Sequence, residues 1–433
     1  MNDRQSMELL APAGGPEQLR AAIRFGADAV YLSGKRWGMR ARANNFSNDE
    51  LEDAVAYAHA HNVSVHVTIN TLLYDRDLDE LPAYLRFLND VGVDAVIVAD
   101  LGALLLAREH APQVAVHVST QASVSNAQTA LAYARMGASR IVLARELTLE
   151  QIAELRRRLD DSGCAVELEV FAHGAMCVAV SGRCLLSSAM VGADRSASRG
   201  NCTQPCRWTW NLVEETRPHA PMPLEADERG SYILSANDLC MLEHLDDLAN
   251  AGVRSIKIEG RNKGAYYVAA VTNAYRHVLD GDHPSTWMSE LEATSHRPFS
   301  TGFFFDNPTQ NPGHAEYARD RLLVAVADKS EPCDMDAGAT CTGTTRATNA
   351  GVTSNNMTGH AWTAYVTCRN KTQAGDRITV LSPGQPIRTF ELGSVERFVP
   401  DEGWQVTNTM AVNMERYRFV APFELREGDM LCL

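Results

Sequence analysis

No stretch of this chain approaches the roughly 18 consecutive apolar residues of a membrane span. Its first residues, MNDRQSMELLAPAGG, carry acid and amide groups and no apolar h-region, so no signal peptide is expected. Together these absences predict a cytoplasmic protein. HExxH, GxSxG and a Walker loop are also missing, which leaves no motif for a zinc protease, a nucleophile elbow or a phosphate loop. Basic residues are in deficit: 40 Lys and Arg stand against 54 Asp and Glu, for a net charge of −14. That balance argues against broad, nonspecific nucleic-acid binding, which calls for a basic domain. It leaves room for a local basic surface. The run Lys35 to Arg42 (KRWGMRAR) has four positive charges and no acid, just after an expected strand.

What is present is regular alternation. Short β-like runs are read at Leu9–Pro12, Ala29–Ser33, Val65–Asn70, Ala95–Asp100, Val114–Thr120, Arg140–Arg145, Val166–His173 and Ser255–Glu259. Amphipathic helical segments lie between them, for example Pro16–Phe25, Asp49–His61 and Thr148–Leu159. The phrases FGADAV, VGVDAV, MGASRI and AGVRSI each end a helix with Gly before the next strand. Repeated strand–helix units and the lack of GxGxxG predict an α/β fold, a closed (β/α)8 TIM-like barrel, over an open doubly wound sheet.

The connection between the last two strands is abnormal. Roughly eighty residues lie there, far more than an ordinary loop, so 174–254 reads as a functional insertion. A helix is expected at Asp238–Asn250 within it, and another at Tyr266–Asp280 after the last strand. The barrel domain is placed at 1–316. The remainder, 317–433, alternates as short strands (RDRLLVAVAD, AYVTCRN, DRITVLS, RTFELGSVERF) and predicts a small all-β barrel domain. Its segment 330–359, rich in Thr, Ala, Gly, Asn and Ser, cannot bury a core and reads as a flexible excursion carrying two free surface thiols, Cys333 and Cys341.

The insertion holds Cys177, Cys184, Cys202 and Cys206, spaced C-x6-C-x17-C-x3-C. A single cysteine is most often a small hydrophobe. Four in this window, in non-periodic sequence beside Gly, Arg and Pro, are not core filling. They suit an iron–sulfur cluster or a structural zinc. The irregular spacing and the position at a barrel mouth favour the redox cluster. Cys240, in the expected helix, is a spare thiol that could replace Cys206.

Active sites of such barrels form at the C-terminal strand ends. The polar residues there are the candidates: Asn70, Asp100, Gln121, His173, Lys257 and Glu259 for catalysis, and Arg42, His117, Arg145 and Arg261 for substrate binding. Lys257 and Glu259 alternate onto one side of their strand. Guanidinium groups bind carboxylate or phosphate bidentately, and Arg36, Arg40 and Arg42 join Arg145 and Arg261 as clamp candidates, the last two favoured as strand-end residues. Trp208 and Trp210 could stack on a base or cover a metal site.

The stretches FAHGAMCVAVSGRCLLSS, RGNCTQPCRW, SIKIEGRNKGAYYVAAVTNAYR, LLAPAGGPEQLRAAIRFGADAVYL and VHVSTQASVSN resemble the collagenase-like peptidase family U32. The likeness spans roughly residues 7 to 310. The branch it resembles most hydroxylates the wobble uridine of tRNA without oxygen. That resemblance implies prephenate as co-substrate and a 4Fe-4S cluster on Cys177, Cys184, Cys202 and Cys206. It also implies an anticodon loop as substrate, with the C-terminal domain contacting RNA or a partner protein. Two departures stand out: the 330–359 segment and the extra Cys240. The alternatives the family implies are a peptidase, and hydroxylation of 23S ribosomal RNA or of a ubiquinone precursor. A third possibility is a binding module stapled by a structural metal.

Overall fold

The computed structural model describes residues 3–40, 43–177, 184, 186–208, 211–212, 222–223, 237–305, 321–333, 347–349 and 361–433. They form two units, Met1–Met288 with Ser295–Ala318, and Ser289–Thr294 with Arg319–Leu433.

In the first unit, strands β1 (Glu8–Pro12), β2 (Ala29–Leu32), β3 (Ser64–Ile69), β4 (Ala95–Val98), β5 (Ala115–Val118), β6 (Arg140–Val142) and β7 (Glu167–Gly174) pair in parallel, each with the next. Two short pieces follow, β8 (Asn211–Leu212) and β9 (Met222–Pro223), then β10 (Asp238–Cys240), β11 (Ser255–Ile258) and β12 (Phe299–Ser300). Strand β11 lies parallel to both β1 and β7, with Glu8 opposite Ser255 and Ser255 opposite Glu169. That double pairing closes an eight-stranded parallel barrel and rules out the open sheet.

The helices α1 (Pro16–Arg24), α2 (Asn48–Ala60), α3 (Asp75–Val91), α4 (Leu101–His110), α5 (Ala127–Arg135) and α6 (Leu149–Asp161) flank it. Their starts are written in the sequence. Pro16 opens α1. Ser47 and Thr148 make capping boxes with Glu50 and Gln151, and Asn126 caps α5. Gly26, Gly92, Gly137 and Gly252 all stand at positive φ just before β2, β4, β6 and β11. The repeated Gly of the sequence is therefore the residue that turns each chain from helix to strand.

Helix α7 (Leu186–Val191) lies within the insertion, and α8 (Leu245–Asn250), α9 (Ala265–Asp280) and α10 (Pro284–Glu292) follow. The expected helix Asp238–Asn250 is shorter. Asp238–Cys240 is instead strand β10, antiparallel to the end of β7, with Cys240 opposite His173. A 3-10 turn, Leu242–His244, then leads into α8. The open backbone edge at the end of β7 captures these residues, which tertiary pairing decides and local periodicity does not.

The barrel floor is charged. Arg140 bonds Glu167 at 2.7 Å and also Glu8, and lies 3.4 Å from Glu169, while Lys257 donates to Glu169 at 2.9 Å. His66 and His117 meet edge to face at 4.8 Å beside this network.

Apart from the helical residues Ser289–Glu292, the second unit is built of strands: a nine-stranded sheet in which Leu323–Pro332, Trp362–Cys368, Arg377–Ser382, Gln385–Glu391 and Val395–Val399 take part. It buries Val366, Phe390, Tyr417, Phe419 and Leu431. The 330–359 segment is not wholly an excursion. Ser330–Pro332 extend a strand paired with Trp362–Ala364, and Ala347–Asn349 pair with Arg388–Phe390. Backbone pairing to neighbouring strands holds these residues despite their polar side chains. Cys333 is half-buried, its thiol 3.4 Å from the Thr363 hydroxyl. Cys341 and the rest of that segment lie outside the described residues. No helix of the described residues is long and apolar enough to cross a membrane.

Candidate active site

The C-terminal strand ends and the insertion enclose a cavity of about 280 Å³. Cys177, Cys184, Cys202 and Cys206 all line it, with Arg40, Arg145, Glu259 and Lys263. A smaller recess of about 40 Å³ lies beneath, lined by Tyr31, Thr68, Asn70, Ser119, Lys257 and Arg261 among others. Met39, Arg40, Thr120, Gln121, Arg145 and Glu259 belong to both, so the two spaces share one wall.

The recess is built from strand ends. Asn70 follows β3; its Nδ2 donates to Ser119 Oγ at 3.2 Å and to Gln121 Oε1 at 3.1 Å, and its Oδ1 accepts from the Met39 amide at 3.2 Å. The Ser119 hydroxyl also donates to Gln121. Three side chains from two strand ends are thus locked into one polar strip.

Opposite it, Glu259 follows β11. Arg40 reaches it at 3.1 Å and Arg145 at 3.6 Å. Burial pushes the Glu259 carboxyl up, but Arg40, Arg145 and Arg261 outweigh it and hold it below its ordinary range. Arg145 also lies over the Phe171 ring at 3.8 Å and donates to the Ala175 carbonyl at 3.1 Å. Arg261 differs from both. It is 3% exposed, and among the described residues its Nη1 meets no hydrogen-bond partner and no carboxylate lies in ion-pair reach. Burial lowers its pKa to about 10. Two guanidinium groups therefore share one carboxylate, a third lines the recess without one in ion-pair reach, and Lys257 is already matched by Glu169. The recess carries an excess of positive charge that suits an anion.

The thiols form the roof. The Leu186 amide donates to the Cys184 sulfur at 3.4 Å and the Gln204 amide to the Cys202 sulfur at 3.2 Å. Among the described residues, no three His, Cys, Asp or Glu side chains are grouped closely enough to hold an ion. The donor set nevertheless fits a thiolate-bound metal group in its chemistry: four sulfurs on one cavity, amide N–H groups aimed at two of them, and arginines beside Cys177 to offset thiolate charge.

Residues 14–313 match the profile of peptidase family U32. The chain belongs to that family. It is 44% identical over 312 residues to an uncharacterized protease of Methanocaldococcus jannaschii, covering 70% of this chain and 74% of that one. It is 38% identical over 309 residues to tRNA hydroxylation protein P1 of Bacillus subtilis, covering 70% and 71%. It is 32% identical over 368 residues to tRNA hydroxylation protein P of Escherichia coli, covering 75% and 79%.

In this U32 protein the structure sorts the residues expected at the site. Asn70, Gln121, Lys257, Glu259, Arg145 and Arg261 meet at the recess, and the four cysteines stand over it. Asp100 does not line either space; its carboxylate caps α4, accepting from the Ala103 amide at 3.0 Å. His117 lines neither space; it is buried in the barrel floor against His66, where burial drops its pKa well below the usual imidazole range. His173 is likewise core, enclosed by Tyr267, Tyr275 and Phe299. All three residues end or lie near strands, but a cap, an inward pleat and a covering helix redirect them. Arg42 and Trp210 lie outside the described residues. Arg36 pairs with Glu80 at the surface, and Trp208 is half exposed. Cys240 does not line the cavity; it is buried beside Tyr275.

Several wall residues are not legible as such from periodicity. Tyr31 reads as an ordinary strand aromatic, yet its hydroxyl donates to the Ile258 carbonyl at 2.8 Å across the recess. Arg40 is one of four cations in the KRWGMRAR run, and only the fold separates it from Arg36. Lys263, in the phrase GRNKG, gives its own signal: a cation two residues after Arg261, just past a strand end.

Proposed function

We propose that this chain hydroxylates the wobble uridine of tRNA without oxygen, forming 5-hydroxyuridine. In this reading Cys177, Cys184, Cys202 and Cys206 hold a 4Fe-4S cluster, and prephenate is the carboxylate co-substrate. One observation carries it: four thiols and the buried guanidinium of Arg261, which has no carboxylate in ion-pair reach among the described residues, face connected spaces. Relatives named for tRNA hydroxylation supply the substrate class.

When bound, a 4Fe-4S group supplies one-electron redox chemistry that side chains cannot. The chain's own residues bind and orient. Arg261 and Arg145 take the carboxylate, Arg261 with a full charge to give and Arg145 by turning from Glu259. The strip Asn70–Ser119–Gln121 offers amide and hydroxyl groups to the edge of a base. An anticodon loop suits the entrance because its bases are already partly unstacked, and a protein of net charge −14 does not grip a long duplex. The cytoplasm, where tRNA and reduced thiols coexist, is the expected compartment.

Family kinship to a protein named as a protease keeps hydrolysis in play. Among the described residues no histidine lines either space, which gives a cysteine or serine nucleophile no imidazole base there.

The test is deletion of the gene in its host, followed by mass analysis of tRNA nucleosides. A loss of about 16 Da at the wobble uridine, the mass of one oxygen, restored by the wild-type gene and not by Arg261→Met, supports the reading. Unchanged nucleosides with lost gelatin breakdown would replace it with the peptidase.

A further inference from the structure

The cysteine loop needs an anchor, and the structure supplies one outside the cavity. Asp77, in the first turn of α3, is 5% exposed. One of its oxygens accepts from the Trp37 indole N–H at 3.2 Å, and the other from the Tyr74 amide at 3.0 Å and from Arg199 at 2.9 Å. Arg199 lies three residues before Cys202. It also donates to the Leu72 carbonyl, while the Leu72 amide donates back to the Ser198 carbonyl at 2.8 Å. Gly200 follows at φ +83°. A Cβ there would stand 2.9 Å from the Met39 carbonyl carbon and 3.0 Å from the Gly38 oxygen, so only glycine lets the loop lie this close.

Trp37 ties the same carboxylate to the other wall. It holds a left-handed backbone at φ +63°, and its carbonyl accepts from the amides of Asn70 and Thr71. Asn70 in turn fixes Met39. One buried carboxylate thus joins the loop carrying Cys202 and Cys206 to the loop carrying Met39 and Arg40. The Ser187 hydroxyl, 3.0 Å from both the amide and the hydroxyl of Thr203, ties Cys202's turn to α7.

We propose that the Asp77–Arg199 pair is a latch that positions the Cys202–Cys206 half of the loop over the cavity. Both are positioning residues: neither lines the cavity. The placement of the thiols is a property of the protein alone; its role in retaining a cluster rests on the function proposed above.

The decisive measurement is the rate at which each cysteine of the metal-free full chain is alkylated by iodoacetamide, read by peptide mass spectrometry. Arg199→Met is expected to speed Cys202 and Cys206 by about tenfold, the cost of one charge-assisted bond, and to leave Cys177 and Cys184 unchanged. Arg199→Lys restores most of the protection. Asp77→Asn keeps the shape of the carboxylate and should reproduce the effect if Arg199→Met folds poorly. Equal rates in wild type and variants, or one common acceleration at all four thiols, overturn the latch. In anaerobically purified protein that holds iron, the same variants should lose it to a chelator faster than wild type; unchanged loss overturns the retention role. Wild type without iron sinks the cluster reading, and alkylation then decides the latch by itself.

Discussion

Lys257 donates to Glu169 at 2.9 Å, and the two side chains are 4% and 0% exposed. The pair spans neighbouring strands β11 and β7, with Lys257 lining the recess and Glu169 joined to the Arg140 network. Burial lowers the Lys257 pKa, and the Glu169 carboxylate opposes that shift. Lys257→Met leaves a buried carboxylate short of a partner and should cost about 3 kcal/mol of unfolding free energy. Adding Glu169→Leu removes the stranded charge, and Arg140 keeps Glu8 and Glu167, so the double variant should recover part of the loss. Urea unfolding measures both. A double variant that loses the sum of the two single losses would show that the residues do not act as a pair.

Arg261 should trade stability for binding. With no carboxylate in ion-pair reach among the described residues, its buried charge costs free energy while no anion is bound. Arg261→Met is expected to raise the stability of the ligand-free protein by about 1 kcal/mol. It should also abolish the stabilisation that a carboxylate ligand such as prephenate gives wild type. Arg145→Met should do the opposite to stability, because Arg145 packs on Phe171 and holds the Ala175 carbonyl. Thermal melts with and without the ligand separate the two. Destabilisation by Arg261→Met in the absence of ligand would mean that its charge is compensated.

The cysteines divide by wall. Cys206→Ser should strip iron and visible absorption from anaerobically purified protein, since Cys206 lines the cavity. Cys240→Ser should keep both, since Cys240 is packed against Tyr275 instead. Iron and sulfide assays with the absorption spectrum decide, and the reverse pattern would move the last ligand to Cys240.

His173 makes the barrel acid-sensitive. Burial, with help from His296 and Lys263, lowers its pKa from the ordinary 6.5 to about 3. The folded pKa is the depressed one, so the unfolded chain binds the extra proton between these values. Stability is full above pH about 6.5 and falls as pH drops toward 3, by about 1.4 kcal/mol per pH unit within the window. His66 and His117 add the same sign. His173→Gln should flatten the slope of unfolding free energy between pH 6.5 and 5 by about that one-proton amount. An unchanged slope would show that His173 does not titrate on unfolding.

Much of this protein is determined by its sequence alone, because the determinants are local. All eight barrel strands are legible, within a few residues at each end, from short runs rich in Val, Ile, Leu and Ala between helical segments. The helix starts follow from Ser47, Asn126 and Thr148, whose side chains reach only three residues along the chain. Even the side-by-side placement of Lys257 and Glu259 follows from the pleat, since both face the recess.

Only the tertiary structure decided which strand-end residues face the opening. Asp100, His117 and His173 satisfy the same positional rule as Asn70, Glu259 and Arg145, yet one caps a helix and two are buried in packing. Cys240 left the expected helix because the end of β7 offered it backbone partners. Arg40 and Arg261 took opposite electrostatic fates because Glu259 reaches the first and not the second. The latch, too, joins residues 122 positions apart in the chain. Charge pairing and burial depend on distances between segments remote in sequence, and a periodicity of two or 3.6 residues carries no information about them.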